Sequence, residues 1–226
     1  MSYIKENLTI LKKEIPQKVT LVAITKTHPP EMIMEAYDAG HRVFGENKVQ
    51  EMVGKYQSLP KDIEWHMVGH LQTNKVKYIA PFVSLIHSID SLKLLIEINK
   101  QAAKCGRVIN CLLQMHIAEE ETKFGLSYNE IVELLSSNEY RTLKNVSLLG
   151  LMAMATFTDD MEQVRKEFRV LSSTFKQIKN TFFHQIDDFK ILSMGMSSDY
   201  KVAIEEGSSM IRVGSIIFGE RFYGAN

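Results

Sequence analysis

Short apolar runs rich in β-branched residues alternate with amphipathic helical patterns eight times along this chain, which confines it to an α/β architecture with parallel strands. The runs expected as strands are 19–24, 42–44, 64–68, 83–87, 108–115, 146–152, 190–193 and 210–213. Helical patterns follow at 30–39, 48–56, 73–79, 91–104, 128–135 and 199–206. In the 91–104 helix the apolar stripe is read through Leu92, Leu95, Ile96 and Asn99. The clearest helix follows the sixth strand, where Val164, Phe168, Leu171, Phe175 and Ile178 recur at four-three spacing. Ile4, Leu8 and Leu11 place an extra N-terminal helix ahead of the alternation, ended by Pro16. No Pro/Gly/Ser-rich linker interrupts the pattern. The expectation is a single (β/α)8 TIM barrel domain over 1–226, with an open doubly wound sheet as the alternative.

Lys plus Arg and Asp plus Glu both number 27, so there is no bulk basic field for nucleic acid or an anionic membrane. No apolar stretch is long enough to span a bilayer, and the N-terminus lacks the apolar core of a secretory signal. Two separated cysteines, Cys105 and Cys111, do not make a disulfide framework. A cytoplasmic protein is expected.

In a barrel of this kind, functional groups gather at the C-terminal ends of the strands, and phosphate often sits over the loops after strands seven and eight. Both loops here are rich in small residues. Ser193-Met194-Gly195-Met196-Ser197-Ser198-Asp199 leads into a helix, where unpaired amides and hydroxyls favour an anion. Arg212-Val213-Gly214-Ser215 adds a second group of amides and a cation. Each loop alone is equally well read as a helix cap or a tight turn. Neither is GxxxxGK[ST] nor an early GxGxxG, so P-loop and Rossmann readings fail.

Lys26 directly follows the first strand, at the same mouth. An anion cradle facing a primary amine is what pyridoxal 5'-phosphate (PLP) requires, although most lysines beside a strand are simply solvated. A barrel that binds another phosphorylated metabolite without a covalent bond satisfies the same loops. Asn47, at the exit of strand two, is either a cofactor contact or a helix cap. His66 packs in its strand or faces the site, and His70 lies in a loop; no spacing makes a convincing metal site. The 119–125 segment reads as a solvated loop, with Lys123 a weak candidate for an ion pair.

Taken in order, several segments resemble the pyridoxal-phosphate homeostasis protein family (the YggS/PROSC group). They are Thr25-Lys26-Thr27, Phe44-Gly45-Glu46-Asn47, Gly69 to Lys75, Lys123-Phe124-Gly125, Gly150-Leu151-Met152, Ser193 to Ser197, and Arg212 to Gly219. The resemblance covers nearly the whole chain. It implies the barrel of the alanine racemase N-terminal domain, fold type III among PLP proteins, with Lys26 as the Schiff-base residue. It assigns Ser197, Ser198, Arg212, Gly214 and Ser215 to the phosphate neighbourhood and puts Asn47 near the cofactor. Two positions depart from the family pattern: His28 stands where a lysine is common, and Met115-His116 replaces the usual Val-Asn.

A racemase needs a second acid/base group across the substrate, which in that family is a tyrosine from an added β domain. The chain ends at Asn226, seven residues after Gly219, so no such domain is expected, and nothing places Tyr200 or Tyr223 opposite Lys26. The expectation is a monomeric, non-catalytic protein that buffers PLP or delivers it to PLP-dependent apo-enzymes. The alternative is a small PLP-dependent enzyme that uses Lys26 as its base.

Overall fold

The computed structural model describes residues 2–118 and 124–219. Eight parallel strands close into a barrel in sequence order. They are β1 (Thr20–Ile24), β2 (Val43–Glu46), β3 (Glu64–Met67), β4 (Leu85–Ile89), β5 (Ile109–Gln114), β6 (Val146–Met152), β7 (Ile191–Ser193) and β8 (Met210–Val213). The expected barrel, rather than an open sheet, is what forms. β1 pairs with β8 through four residues, from Thr20↔Met210 to Ala23↔Val213, and this seam joins the two ends of the fold.

The helices are α1 (Tyr3–Glu14), α2 (Pro30–Asp38), α3 (Val49–Ser58), α4 (Val76–Ile79), α5 (Leu92–Lys104), α6 (Tyr128–Ser136), α7 (Asn138–Thr142), α8 (Met161–Phe182), α9 (Tyr200–Glu205) and α10 (Ser215–Phe218). The extra N-terminal helix α1 buries Ile4, Leu8 and Leu11. It reaches the end of the barrel through Tyr3 Oη to Phe218 O (3.1 Å) and Asn7 Nδ2 to Ile217 O (3.2 Å). No helix among the described residues is long and apolar enough to cross a membrane. Lys123 and Tyr223 lie outside the described residues.

Some local expectations shift. β4 begins at Leu85, two residues later than its apolar run, because the Val83 amide is spent on Ile79 O at the end of α4 (2.8 Å). α5 buries Leu94, Leu95, Ile98 and Ala102, so Leu95 of the predicted stripe holds while the buried face is rotated and Ile96 turns outward. Asn99 accepts a hydrogen bond from the Asn145 amide (2.8 Å), a polar duty that helps fix this rotation. The pattern at 73–79 divides into a 3-10 turn, Thr73–Lys75, and α4. α7 and α10, each a few residues long, carry too little periodicity to be read in advance.

Apolar packing forms two bodies. The larger lies between the strands and the helical ring and includes Phe44, Trp65, Phe168 and Phe189. A smaller one, Val22, Leu85, Leu112, Met152 and Met210, fills the barrel interior. Against it lies a buried polar row. Arg212 Nη1 donates to Ser193 Oγ (2.7 Å), Ser193 Oγ meets His87 Nδ1 (3.1 Å), and His87 Nε2 meets His66 Nδ1 (3.1 Å). The bonds are satisfied when Ser193 donates to His87 and His87 donates to His66, with both imidazoles neutral. Burial pushes His66 down to about 3; burial, then the electrostatic influence of the adjoining His66 and of the Arg212 cation, holds His87 well below its ordinary range.

Trp65 is the chain's one tryptophan and is fully buried, so its fluorescence reports unfolding. Phe168→Ala, which empties a fully buried position on α8, is expected to lower unfolding free energy in urea by about 3–5 kcal/mol. The histidine pair predicts an acid limit. The unfolded chain takes up protons near pH 6.5 while folded His66 resists protonation to about 3. The stability these groups contribute is therefore complete above about pH 6.5 and declines as pH falls, by up to about 1.4 kcal/mol per pH unit per histidine. Urea midpoints unchanged between about pH 7 and 4 would contradict neutral burial of the pair.

Candidate cofactor site at the barrel mouth

Side-chain alternation in β1 sends Val22 and Ile24 inward and Leu21 and Ala23 outward. Continued past the strand, it directs Thr25 toward the helical layer and Lys26 toward the mouth of the barrel. The structure agrees: Thr25 is buried against β2 and α3, and Lys26 lines a cavity of about 540 Å3 at the C-terminal end of the strands. Asn47, Ser197, Ser198, Arg212, Gly214 and Ser215 line the same cavity. All seven residues singled out in the sequence thus meet in one place.

The loop after β7 turns at Gly195, whose φ is +98°. A Cβ there would stand 2.6 Å from the Ala203 Cβ and 3.0 Å from the Tyr200 Cα, so glycine is needed both for the turn and for the close approach of α9. Asp199 Oδ1 accepts the Met196 amide (2.5 Å), which folds the loop back on itself. Ser197 Oγ accepts the Gly214 amide (3.3 Å) and ties the β7 loop to the β8 loop. α10 starts at Ser215, so the first amides of its opening turn have no carbonyl partner within the helix. This is the geometry of a small anion cradle: two short loops, each presenting amides and hydroxyls, laced together by a serine.

Arg212 stands deeper than those loops. It is buried, and its two terminal nitrogens reach Ser193 Oγ and Ala153 O (2.9 Å). Burial lowers its pKa to about 10, opposed by the Asp199 carboxylate, so it is a cation at neutral pH in the cavity floor. On the far side, Gly69 lets the β3 loop pass against Asn47, since a Cβ there would lie 2.3 Å from Asn47 O. The Gly69 carbonyl is fixed by Ser88 Oγ (2.7 Å). Asn47 is thereby held by backbone packing at the cavity wall and makes no side-chain cap on α3.

Several participants were not legible in the sequence. Gln114 lines the cavity and donates to Phe124 O (2.9 Å). Met154, Phe157 and Met196 add apolar wall, and Phe124 stacks on His70 at 4.3 Å near the rim. His70 also faces Asp90 (3.1 Å). Of the two positions that depart from the family pattern, His28 packs beside Phe218 (ring centroids 5.0 Å apart), and the His116 amide bonds Leu126 O (3.0 Å). Tyr200 does not face Lys26: its hydroxyl donates to Glu14 of α1 (2.7 Å), and burial followed by that contact pushes it up to about 12. Among the described residues, no group of three or more His, Cys, Asp or Glu side chains is placed to hold a metal ion.

Known proteins share this fold over almost the full chain. The family described as "Alanine racemase, N-terminal domain" matches residues 1–222. A pyridoxal phosphate homeostasis protein of Aquifex aeolicus is 43% identical over 205 residues, covering 90% of this chain and 87% of that one. The protein of the same name from Escherichia coli is 37% identical over 212 residues, covering 92% and 88%. Among solved structures, PipY of Synechococcus elongatus with PLP bound superposes with a TM-score of 0.87 at 34% identity, covering 96% of this chain and all of that one. Alanine racemase of Clostridium difficile shares the fold, with a TM-score of 0.71 at 15% identity; the match covers 97% of this chain and 56% of the racemase. The chain therefore belongs to the pyridoxal phosphate homeostasis protein family, built on the barrel of the alanine racemase N-terminal domain.

Proposed function

We propose that this protein binds PLP at the barrel mouth, covalently through Lys26, and serves intracellular PLP homeostasis by buffering or delivering the cofactor without catalytic turnover. The convergence of Lys26 with the β7 and β8 loops on one cavity carries this reading. Relatives named for PLP homeostasis and the PLP-bound PipY support it.

PLP supplies an aldehyde that condenses with a primary amine and releases water. The residues fit such a group. Ser197, Gly214 and Ser215, with Ser198 beside them, hold the phosphate through hydroxyls and amides. Asn47 bounds the ring from the opposite wall. Arg212 contributes positive charge from below, and its hydrogen bonds to Ser193 and Ala153 keep the guanidinium fixed. The non-catalytic assignment is supported by the Tyr200 hydroxyl, which is committed to Glu14 of α1 rather than to the cavity. We assign the function to a single barrel domain acting as a monomer in the cytoplasm, with PLP and apo-enzymes as its partners.

Adding PLP to the purified protein is expected to produce a visible absorption band that is lost in Lys26→Ala. Ser197→Ala is expected to keep the band at high PLP but to weaken affinity about tenfold, the scale of one hydrogen bond to a charged group. A wild-type protein without the band would overturn the covalent assignment. Transfer of bound PLP to an apo-enzyme faster than release into buffer would establish delivery, and equal rates would leave buffering alone. Sustained racemisation, transamination or elimination of any amino acid, abolished in Lys26→Ala, would replace the carrier assignment with an enzymatic one.

A further inference from the structure

The peptide groups on either side of Lys26 are gripped by side chains of the neighbouring strand–helix unit. Thr25, fully buried, donates its hydroxyl to Glu46 Oε1 (2.5 Å) at the end of β2. Lys55 of α3 donates to the same oxygen (2.5 Å) and to the Thr25 carbonyl (2.8 Å). One turn earlier on α3, Glu51 Oε2 lies 3.8 Å from Lys55 Nζ and accepts the Thr27 amide (3.0 Å). The contacts therefore run unbroken from the carbonyl before Lys26 to the amide after it.

The segment they grip is a tight turn. The His28 amide bonds the Thr25 carbonyl (3.0 Å), which puts Lys26 and Thr27 at the two central positions. Thr27 has a φ of +68°, the one non-glycine residue with positive φ among those described. A β-branched residue resists that conformation, so an isolated chain of this sequence would relax away from it. Relaxation would rotate the Lys26 peptide and swing its side chain off the cavity. The Glu46–Lys55 pair is nearly dry, with side chains 0% and 8% exposed, and is costly to bury unless its geometry is well satisfied. Glu46 Oε2, buried, has no hydrogen-bond partner among the described residues. Such a pair does little for stability that apolar packing would not do, whereas its orientation toward the Thr25 carbonyl is specific.

We propose that Glu46, Glu51 and Lys55 are positioning residues that clamp the strained turn around Lys26 and aim its amine at the cofactor aldehyde. This rests on the covalent assignment made above. The clamp acts on the bond between Lys26 Nζ and the aldehyde carbon, whose formation releases one water, and it leaves the phosphate cradle untouched. It therefore separates two ligands that differ only at that carbon: PLP, and pyridoxine 5'-phosphate, which carries a hydroxymethyl group in place of the aldehyde.

The test measures both affinities, by the visible band for PLP and by calorimetry for pyridoxine 5'-phosphate. Glu51→Ala removes the acceptor for the Thr27 amide at a site that is only partly buried. It is expected to weaken PLP about tenfold, the scale of one charge-assisted hydrogen bond, and to slow appearance of the band. Affinity for pyridoxine 5'-phosphate should stay within about twofold of wild type, and Glu51→Gln, which keeps a side-chain oxygen acceptor, should restore PLP binding. A second pair guards against misfolding: Thr25→Ser keeps the hydroxyl and should behave as wild type, while Thr25→Val removes it and should lose PLP selectively. Unchanged PLP affinity in both Glu51→Ala and Thr25→Val would overturn the clamp, as would equal losses for the two ligands. A wild-type protein that binds both ligands with equal affinity and shows no band would instead overturn the covalent assignment, and the clamp with it.

Discussion

Closure between β1 and β8 is the constraint on which the site depends. Lys26 lies two residues beyond one strand of that seam, and Gly214 and Ser215 are the first two residues beyond the other. Residues nearly 190 positions apart in sequence become neighbours because Val22 pairs with Arg212 and Ala23 with Val213. The seam also explains why Arg212 enters the barrel. It shares its inward orientation with Val22, so its cation is delivered below the cavity rather than into solvent. By contrast, β7 and β8 share a single register pair, Ser193↔Met210. Ser208 strengthens that joint by donating its hydroxyl among the Leu192, Met194 and Met210 carbonyls, the nearest at 2.7 Å, and above the joint the Arg212 amide donates to Gly195 O (2.9 Å), which carries the pairing into the β7 loop.

A buried guanidinium and two neutral histidines occupy space that leucines and valines fill elsewhere in such barrels. Their hydrogen bonds are satisfied in series, from Arg212 through Ser193 and His87 to His66, which keeps the arrangement from being an interior defect. The outer apolar body, with Trp65, Phe44 and Phe168 fully buried, supplies the stability that this polar interior does not. Two kinds of packing thus divide the labour: apolar surface between strands and helices holds the barrel shut, and directional bonds inside it fix the floor of the cavity.

Much of this was readable from residue order, for identifiable reasons. Strand and helix periods are local, so the alternation of elements and the place of Lys26 after β1 follow from short windows of sequence. Small residues after β7 and β8 marked the cradle because glycine and serine serve backbone approach and anion contact whatever the details of the fold. The Thr25–Glu46–Lys55–Glu51 network was not legible, since a threonine, a lysine and two glutamates scattered over thirty residues look like ordinary surface polarity until three dimensions bury three of them. His87 and Ser193 were hidden for the opposite reason: each sits in an apolar run whose pattern does not reveal which way it points. The two-residue displacement of β4 has a similar origin, because an apolar residue such as Val83 suits the approach to a strand as well as the strand itself.

The seam at β1 and β8 also has a consequence for biosynthesis. On the ribosome Lys26 emerges long before the glycine and serines it faces, so no chain that stops short of β8 presents both halves of the cavity. A ligand held there stabilises only the closed barrel, because nothing short of closure offers it a site. Occupancy then becomes a mark of barrel closure: a nascent or truncated chain that has Lys26 but lacks β8 carries the amine without the cradle.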